Sequence, residues 1–468
     1  MLPSELELIG LQGDAVTIID GGGVGTTVTI PLGITVTLDG LHIRGGRGSL
    51  AGGVYSEGNL TLRNCTVSGN ECTGVYGAGG GGVSLVFASA VIDGCVIEGN
   101  VGAAGGYGAS AIYSYLYGSG VPPTTITGST ISGNTAPGPT GGALFFFNGP
   151  LVLRDSTVSG NRGAGVRLAT YGSSSSVFEA IIEGSTIVEN DATGTTYGLV
   201  AGGISRFGLS PTMKIQNTIV AGNIGNGVAP DVNGRFFSRG GNVIGNRDGA
   251  VGLTGTTGDQ TGTTSAPLSA GLEPLARNGG RTATHRPSGG SVAVDGGVDV
   301  PGLTFDQRGV PHPTGARDSG AHERGVGSDL MVCVPSPNST GGPTLLEASA
   351  NLDPAQNSMF LTMLDVPRDS FGFCVTSSSV GSPVQPPMSQ GFLCLTGAVG
   401  RLTGPGQVTS SGAAGRIRVP LDLTQHPTAM GPVTVMSGET WYFQGWHRDL
   451  VTGVATSNFS AAVSVTFQ

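Results

Sequence analysis

The stretch LTLRNCTVSGN, residues 60–70, recurs in variant form through the first half of the chain. Five further copies each end in Asn: AVIDGCVIEGN at Asn100, TTITGSTISGN at Asn134, LVLRDSTVSGN at Asn161, AIIEGSTIVEN at Asn190 and MKIQNTIVAGN at Asn223. Successive terminal Asn residues are 30, 34, 27, 29 and 33 positions apart. A period of about 30 residues is typical of repeat architectures in which each copy forms one structural unit.

Four positions in each copy are apolar or small, and they lie ten, eight, five and three residues before the Asn. In the first copy they are Leu60, Leu62, Cys65 and Val67. This spacing predicts two short strands that meet at a corner. A third strand follows a Gly pair in most copies, as in GGALFFF from Gly141. Three short strands per repeat predict a parallel β-helix, in which each coil stacks on its neighbour.

The constant Asn residues are predicted to form a structural ladder. Asn tolerates the left-handed conformation of a tight corner, and its amide can bond to the Asn one coil away, about 4.8 Å distant. The ladder comprises Asn70, Asn100, Asn134, Asn161, Asn190 and Asn223. The position seven residues before each Asn pairs Arg63 with Asp93 and Arg154 with Glu183. Opposite charges in neighbouring coils favour one register.

The coil pattern resembles the right-handed parallel β-helix proteins of the pectate-lyase-like superfamily. Further on, IVAGN, DVNG, SRGGNVIG, TGDQTG, PLARNGGRTATHRPSGGSVAVDGG and FDQRGVPHPTGARDSGAHE follow in order between residues 219 and 323. This succession resembles the choice-of-anchor Q domain, although His312, Ser319 and His322 stand where that pattern has Arg, Ile and an aromatic residue. The resemblance implies a secreted or surface-borne β-helix terminus without an assigned activity.

The last 140 residues show a different alternation of apolar and polar residues. Seven candidate strands follow at short spacing: SMFLTML, FGFCVTS, GFLCLTG, GRIRVPLDL, PVTVM, TWYFQGWHRD and FSAAVSVTF. They predict an antiparallel β-sandwich. Its sequence resembles the tail module of uncharacterised secreted proteins of planctomycete-type bacteria. The predicted fold class is therefore all-β, with a right-handed parallel β-helix at residues 1–325, Asn-ladder coils to about residue 225, and a smaller sandwich at 328–468.

Composition and charge exclude several classes of protein. The 468 residues include 85 Gly, 27 Pro and 11% charged residues, with a net charge of −9 and a single lysine, Lys214. An acidic chain without a basic cluster predicts no nucleic-acid partner. No apolar run approaches the roughly 18 residues of a membrane span, so no transmembrane segment is predicted. MLPSELELIG does not read as a signal peptide, and strand patterning begins at once. We therefore expect a secretion signal and a capping segment upstream of Met1.

The six cysteines do not suggest a metal centre. Cys65 and Cys95 occupy the same inward position one coil apart, where later coils carry Ser or Thr, which favours packing. Cys374 and Cys394 lie in neighbouring candidate strands, and the sequence leaves open whether they are bridged or free. No C-x-x-C, P-loop or calcium-binding repeat occurs, so neither a metal nor a cofactor is predicted.

One polar cluster near the end of the predicted β-helix permits two interpretations. It comprises Asp306, Gln307, Arg308, His312, Arg317, Asp318, His322 and Glu323. Asp306, His312, Asp318 and Glu323 are candidates for acid and base catalysis on a sugar bond. The favoured interpretation is structural, with buried charge-assisted bonds holding a non-repetitive segment over the end of the solenoid.

Tyrosines near two coil insertions are the candidate ligand-binding residues. The insertions are YSYLYGSGVPP from Tyr113 and ATYGSSSSVFEA from Ala169, predicted to leave the same edge of the solenoid. The candidates are Tyr107, Tyr113, Tyr115, Tyr117 and Tyr171. Aromatic faces stack on sugar rings, so they would form a shelf for a neutral glycan. The alternative is that these residues pack against the solenoid.

Three functions remain open at this point. The leading hypothesis is a secreted or cell-surface β-helix protein of a bacterium, non-catalytic, that serves adhesion or contacts extracellular polysaccharide or another cell-surface component. The second is a polysaccharide lyase or glycosidase on a pectate-lyase-like β-helix. The third is a structural spacer. The sequence does not predict the ligand or the oligomeric state.

Overall fold

The computed structural model describes residues 5–467 except 12, 75–78, 106–107, 117–120, 139–140, 171–177, 197, 209–211, 228–229, 254–257, 279, 311, 314, 316, 325–330, 334, 341–342, 349–351, 413–414 and 452–453. The chain divides into two compact units. The first comprises Met1–Ala276, Thr282–Gln307 and Thr314–Glu323. The second comprises Arg277–Arg281, Arg308–Pro313 and Arg324–Gln468.

The first unit is a parallel β-helix whose coils have three faces. The first face contains Glu5–Ile9, Thr35–Asp39, Asn59–Arg63, Ala90–Asp93, Thr124–Thr127, Leu151–Arg154, Glu179–Glu183 and Thr212–Gln216. The second contains Ile18–Asp20, His42–Arg44, Thr66–Ser68, Val96–Glu98, Thr130–Ser132, Thr157–Ser159, Thr186–Val188, Ile219–Ala221, Val243–Ile244 and Gln260–Thr261. The third contains Val28–Ile30, Val54–Ser56, Val83–Val86, Ala109–Tyr115, Gly142–Phe147, Ala164–Ala169 and Ile204–Phe207.

Strands of one face pair in parallel with the equivalent strands of neighbouring coils. Leu62, for example, is paired with Leu38 on one side and Ile92 on the other. Val232–Ser238 bridges two faces, because it pairs with both Ile204–Phe207 and Thr212–Gln216. Arg47–Gly48 pairs with Glu71–Cys72, and Ala250–Val251 pairs with Val232–Ser238.

The predicted inward positions form the solenoid core. Leu60, Leu62, Cys65 and Val67 are all at most 2% exposed, and their equivalents in later coils join the same apolar cluster. On the outward side, Arg154 Nε lies 2.7 Å from Glu183 Oε2, and Arg239 also contacts Glu183 at 3.0 Å. The period-two pattern of the sequence therefore identified the buried face correctly.

The six Asn side chains form a continuous ladder. Each Nδ2 donates to the Oδ1 of the next Asn at 2.8–3.0 Å, and each backbone N–H donates to the same oxygen. Each Nδ2 also donates to a carbonyl oxygen of the preceding coil, such as Ile43 O for Asn70. The ladder ends on Asp231, whose Oδ1 accepts from both nitrogens of Asn223 at 2.9 Å. A carboxylate suits this end because it accepts hydrogen bonds without a donor of its own.

The ladder Asn residues do not themselves occupy the left-handed corner, so that part of the prediction is wrong. Positive φ is found one residue earlier, at Gly69, Gly99, Gly133, Gly160, Glu189 and Gly222. It is also found six residues before the Asn, at Asn64, Gly94, Gly128, Asp155, Gly184 and Asn217. The Asn side chain must point inward to bond along the ladder, and its neighbour absorbs the turn.

A non-repetitive segment packs along the outward side of the second face. We call residues 264–276, 282–307 and 317–323 the covering segment. Thr157 donates to Gln307 Oε1 at 2.6 Å, Ser159 Oγ lies 2.7 Å from His285 Nε2, and the Ala321 N–H donates to Thr186 Oγ1 at 3.0 Å. We expected this segment to lie over the end of the solenoid, and that prediction is wrong. The segment lies along one side, because the outward Thr and Ser side chains of the second face supply its hydrogen-bond partners.

The second unit is built from antiparallel sheets. Its strands are Met331–Cys333, Leu345–Ala348, Phe360–Leu364, Phe371–Ser377, Ser379–Val384, Leu393–Thr396, Gly400–Leu402, Thr409–Ser410, Ile417–Pro420, His426–Thr428, Gly431–Val433, Thr440–Val451 and Val454–Thr466. A six-stranded and a three-stranded sheet share one apolar core, to which Trp441, Phe443, Leu361 and Val419 contribute. A short 3-10 turn spans Pro354–Gln356.

The predicted all-β class, with a parallel β-helix before antiparallel sheets, is confirmed. One open question about the cysteines is also answered. Cys374 is a free, buried thiol, whereas Cys394 is disulfide-bonded, so the two are not bridged to each other. In the described part of the chain, no helix is long and apolar enough to cross a bilayer.

Candidate functional site

The predicted tyrosine shelf does not form where Tyr113 lies. Tyr113 is 2% exposed and stacks on Phe145, with ring centroids 5.8 Å apart, while Tyr115 stacks on Phe147 at 5.4 Å. The equivalent outward positions of neighbouring coils thus bury each other. Tyr113 is therefore part of a packed cluster rather than an open ligand surface. Tyr107, Tyr117 and Tyr171 lie outside the described residues.

The acidic candidates in the first unit contact the backbone of the covering segment. Asp306 Oδ2 accepts from the Glu323 N–H at 2.9 Å, and Glu323 Oε2 accepts from the Asp318 N–H at 3.1 Å. Asp318 Oδ1 accepts from the Asp295 N–H at 2.8 Å. All three acids are at most 5% exposed. Their observed contacts are those of a structural network.

The other members of this polar cluster also have defined contacts. Arg317 donates to Leu303 O at 3.0 Å and lies 3.7 Å from Asp155, while burial lowers its pKa. His322 Nδ1 lies 2.9 Å from Thr284 Oγ1. Arg308 forms an ion pair with Glu347 within the second unit. His312 is half-buried and belongs to that unit as well, so the four acid and base candidates are divided between the two units.

A cavity of about 610 Å³ lies between the last corners of the ladder and the covering segment. We call it the ladder groove. Its apolar floor is formed by Val188, Ala221, Leu268, Ala270 and Leu272. Its polar lining comprises Glu189, Asn223, Asp231, Asn246, Thr264, Ser269 and His285. This combination of an apolar surface with a few polar groups is typical of small-ligand sites, and the volume falls within their usual range.

Glu189 is the exceptional residue of the ladder groove. It has φ of 59° and occupies the corner position that is Gly in the other five copies of the repeat. A side chain with φ in the left-handed region costs about 1–2 kcal/mol relative to its ordinary conformation. Glu189 is also exposed, so it gains little from packing. Backbone strain of this kind is found preferentially at functional sites.

The buried end of the ladder groove is held by Asp231 and His285. Burial raises the pKa of Asp231, whereas hydrogen bonds from Asn223 and from the Asn246 backbone lower it. His285 Nδ1 lies 2.8 Å from Glu273 O, and its Nε2 contacts Ser159. Both side chains are at most 3% exposed. They therefore present fixed polar atoms to the groove, while Glu189 presents a solvated carboxylate.

Comparison with known families identifies the architecture. Residues 52–261 match the family model described as the right handed beta helix region. This segment is a right-handed parallel β-helix. No curated protein and no solved structure matches the chain.

The ladder groove extends beyond the matched part of the right-handed β-helix. Glu189, Asn223 and Asp231 lie inside the matched residues, while Leu268 and His285 come from the covering segment. Among the described residues, no three His, Cys, Asp or Glu side chains are arranged to hold a metal ion. The residues that line the groove offer apolar contact and hydrogen bonds.

Sequence reasoning missed this groove, although one signal was present. The six copies of the repeat end in SGN, EGN, SGN, SGN, VEN and AGN. The middle residue of these three is Gly in every copy except the fifth, where it is Glu189. A lone departure from Gly at a turn position can indicate function as well as drift. Asp231 gave no comparable signal, because it follows Asn223 by eight residues rather than by one repeat.

Proposed function

We propose that this protein is a secreted or cell-surface β-helix that binds a neutral extracellular polysaccharide in the ladder groove. The observation that carries the proposal is Glu189, an exposed carboxylate held in a strained conformation at the groove. An unselected position would be expected to keep the unstrained Gly of the other coils. Retaining Glu there is explained by a gain in binding.

The lining of the groove suits a sugar better than a charged ligand. The apolar floor at Val188, Leu268 and Leu272 offers contact for the C–H face of a sugar ring. Carboxylate and amide oxygens of Glu189 and Asn246 can accept hydrogen bonds from hydroxyl groups. The two carboxyl groups of the groove and a net charge of −9 disfavour an anionic polysaccharide.

The proposed location outside the cytoplasm is supported by the chemistry of Cys394. Its disulfide suits an oxidising compartment, since such bonds are rare in the cytosol of mesophiles. The resemblance of residues 219–323 to choice-of-anchor Q regions, and of the tail to modules of planctomycete-type secreted proteins, supports a role of the second unit in surface retention.

The proposal is tested by incubating the protein with a panel of neutral and acidic polysaccharides and measuring co-sedimentation. We expect one or more neutral members to retain the native protein, and Glu189→Gln to weaken that retention. Gln preserves size and the strained backbone, so a loss reports on the carboxylate. Retention by acidic members alone would contradict the proposal. The absence of retention by any member would favour the structural spacer.

A polysaccharide-cleaving enzyme is the second candidate. The observation in its favour is that two carboxyl groups in different environments, Glu189 and Asp231, line the same groove. Unequal carboxyl groups can divide the acid and base roles of glycoside hydrolysis. Asp231 already accepts hydrogen bonds from Asn223 and Asn246, however, which favours the binding function. Release of reducing ends, abolished by both Glu189→Gln and Asp231→Asn, would establish the enzyme instead.

A further inference from the structure

Among the residues that the structure describes, the second face is open in the first coils of the solenoid. Further along, the outward side chains of Thr130, Thr157 and Thr186 are at most 1% exposed beneath the covering segment. In Ile18–Asp20, His42–Arg44, Thr66–Ser68 and Val96–Glu98 the outward side chains are half-buried or exposed. The same sheet therefore has a covered part, which holds the fold together, and an open part rich in polar groups.

Two reactive side chains meet on this open part. Ser68 Oγ lies 2.7 Å from His42 Nε2, and both residues are half-buried. His42 is paired with Thr66 and Arg44 with Ser68, so the Ser–His contact runs diagonally between adjacent strands. A hydroxyl at hydrogen-bond distance from an imidazole nitrogen is the arrangement required to activate a serine nucleophile.

We propose that Ser68 and His42 form a nucleophile and general-base pair that hydrolyses short acyl esters. This activity goes beyond the glycan binding proposed for the ladder groove and does not depend on it. The open sheet would admit an ester carried on an extended molecule, such as an acylated sugar chain.

The charges around His42 keep it able to accept a proton. Burial lowers the pKa of His42, the neighbouring Arg44 lowers it further, and Asp14, Glu98 and Asp20 oppose this. The imidazole is therefore neutral at pH 7, and Nε2 can take the Ser68 proton. Asp14 also accepts a hydrogen bond from Thr66 Oγ1, which fixes a carboxylate on this side of the sheet.

Arg44 is the strand neighbour of Ser68 and forms an ion pair with Asp20. Its Nε lies 2.9 Å from Asp20 Oδ2, and both side chains are just under half exposed. Arg44 is paired with Ser68 on one side and with Asp20 on the other, and its guanidinium is held towards Asp20. A positive charge on the face that contains Ser68 favours the negative charge that develops on an attacked carbonyl oxygen.

The reaction balances without a further reagent except water. Ser68 Oγ bonds to the acyl carbon, and its proton passes to His42 Nε2. The bond from carbon to the alcohol oxygen then breaks, and the alcohol leaves with the proton from His42. Water attacks the acyl-serine, again losing a proton to His42, and the carboxylic acid leaves as Ser68 regains its proton.

A second Ser–His pair has the same hydrogen-bond distance but is buried. Ser159 Oγ and His285 Nε2 are also 2.7 Å apart, but both residues are at most 2% exposed. This second pair holds the covering segment, and Ser159 is buried and is not among the residues that line the ladder groove, so its hydroxyl cannot attack a substrate. It therefore serves as an internal control, because it has the same Ser–His hydrogen bond but a buried serine.

The test is covalent labelling of the native protein with a fluorophosphonate, followed by peptide mapping. We expect label on Ser68 and none on Ser159. Ser68→Ala and His42→Ala should abolish that label, while Ser159→Ala should leave it unchanged. Equal labelling of His42→Ala, or an unlabelled Ser68 where a known serine hydrolase is labelled, would overturn the proposal.

Hydrolysis of p-nitrophenyl acetate gives an independent readout. His42→Ala should lower kcat/KM on the order of a hundredfold, which is within the usual range for a general base. The rate of the native protein should fall on acidification as His42 becomes protonated, whereas Ser68→Ala should show only the background rate. Circular dichroism of both variants verifies that the fold is retained. Hydrolysis that is unaffected by either substitution would contradict the inference.

Discussion

At the residue scale, the predictions concern two kinds of position: strained corners and buried ionisable groups. Glu189 and Gly133 occupy equivalent corners with φ of 59° and 60°. A Cβ at Gly133 would contact nothing within 4 Å, so the cost of a side chain there is conformational rather than steric. The two corners therefore have the same backbone conformation and differ only in whether a side chain is present.

Glu189→Gly should stabilise the protein by about 1 kcal/mol, because the left-handed strain of a substituted residue is relieved. Gly133→Ala should destabilise it by a similar amount for the same reason. Urea unfolding of both variants measures the two effects. A Glu189→Gly variant less stable than the native protein would show that the carboxylate contributes to folding, and would contradict our interpretation of the corner.

His426 should make the second unit sensitive to acid. Its Nε2 lies 2.9 Å from Thr376 Oγ1, its ring packs against Trp441, and burial lowers its pKa to about 4. The folded state then binds fewer protons than the unfolded state between pH 6.5 and 4. The contribution of neutral His426 to the free energy of unfolding is complete above pH 6.5. It is lost as the pH falls towards 4, and the loss amounts to at most about 3 kcal/mol.

The measurement is the free energy of unfolding at pH 7 and pH 4.5 for the native protein and His426→Gln. The native protein should lose more stability on acidification than the variant does. Asp365 acts in the opposite direction, because burial raises its pKa to about 6. Asp365→Asn should therefore enlarge the acid sensitivity. A native protein and His426→Gln with the same pH dependence would refute the assignment.

At the scale of elements, the Asn ladder is a directional chain that requires an acceptor at its end. Asp231→Ala would leave the N–H and Nδ2 of Asn223 without that acceptor, since both donate to Asp231 Oδ1. Each buried unsatisfied donor costs about 1–3 kcal/mol. We expect a loss of about 2–4 kcal/mol in the free energy of unfolding. Asp231→Asn is the matched control, because its amide oxygen can still accept both bonds, and an equally large loss there would contradict the ladder-end role.

A second ladder follows the same rule in the same solenoid. The Thr218 N–H donates to Asn242 Oδ1, and Asn242 donates in turn to Asp259 Oδ1 at 2.8 and 3.1 Å. Earlier coils use Cys or Ser at this position, as in the 3.0 Å bond from the Cys95 N–H to Ser129 Oγ. Two ladders that each end on Asp indicate that the carboxylates terminate the repeat, since a further amide would need another acceptor.

The disulfide of Cys394 should affect the second unit alone. Reduction is expected to lower its unfolding transition, since the loss of a native disulfide typically costs 2–5 kcal/mol. Cys65, Cys72 and Cys95 of the first unit are free thiols, so that unit should be unaffected, and Cys374 of the second unit is also free. Alkylation in denaturant before reduction should modify these four cysteines and spare Cys394. Alkylation of Cys394 under those conditions would contradict the assignment.

At the scale of the whole molecule, the fold followed from the repeat, while the groove did not. In a strand every second side chain points to the same face, so the alternation that includes Leu60 and Leu62 can be recognised from the sequence alone. The ladder groove depends on contacts between coils near Glu189 and a segment about 80–100 residues further on, including Leu268 and His285. Such non-local packing has no period. The burial of Tyr113 was missed for a related reason, because it depends on Phe145 one coil away.

In the proposed function, Glu189 serves binding at the expense of stability. The most direct test measures both quantities on Glu189→Gly, using calorimetry with the neutral polysaccharide retained most strongly and urea unfolding on the same preparation. We predict an affinity at least about tenfold weaker, equivalent to 1.4 kcal/mol of lost binding, together with a more stable fold. Unchanged affinity in a stabilised variant would show that the strained carboxylate does not serve this ligand, and would contradict the account.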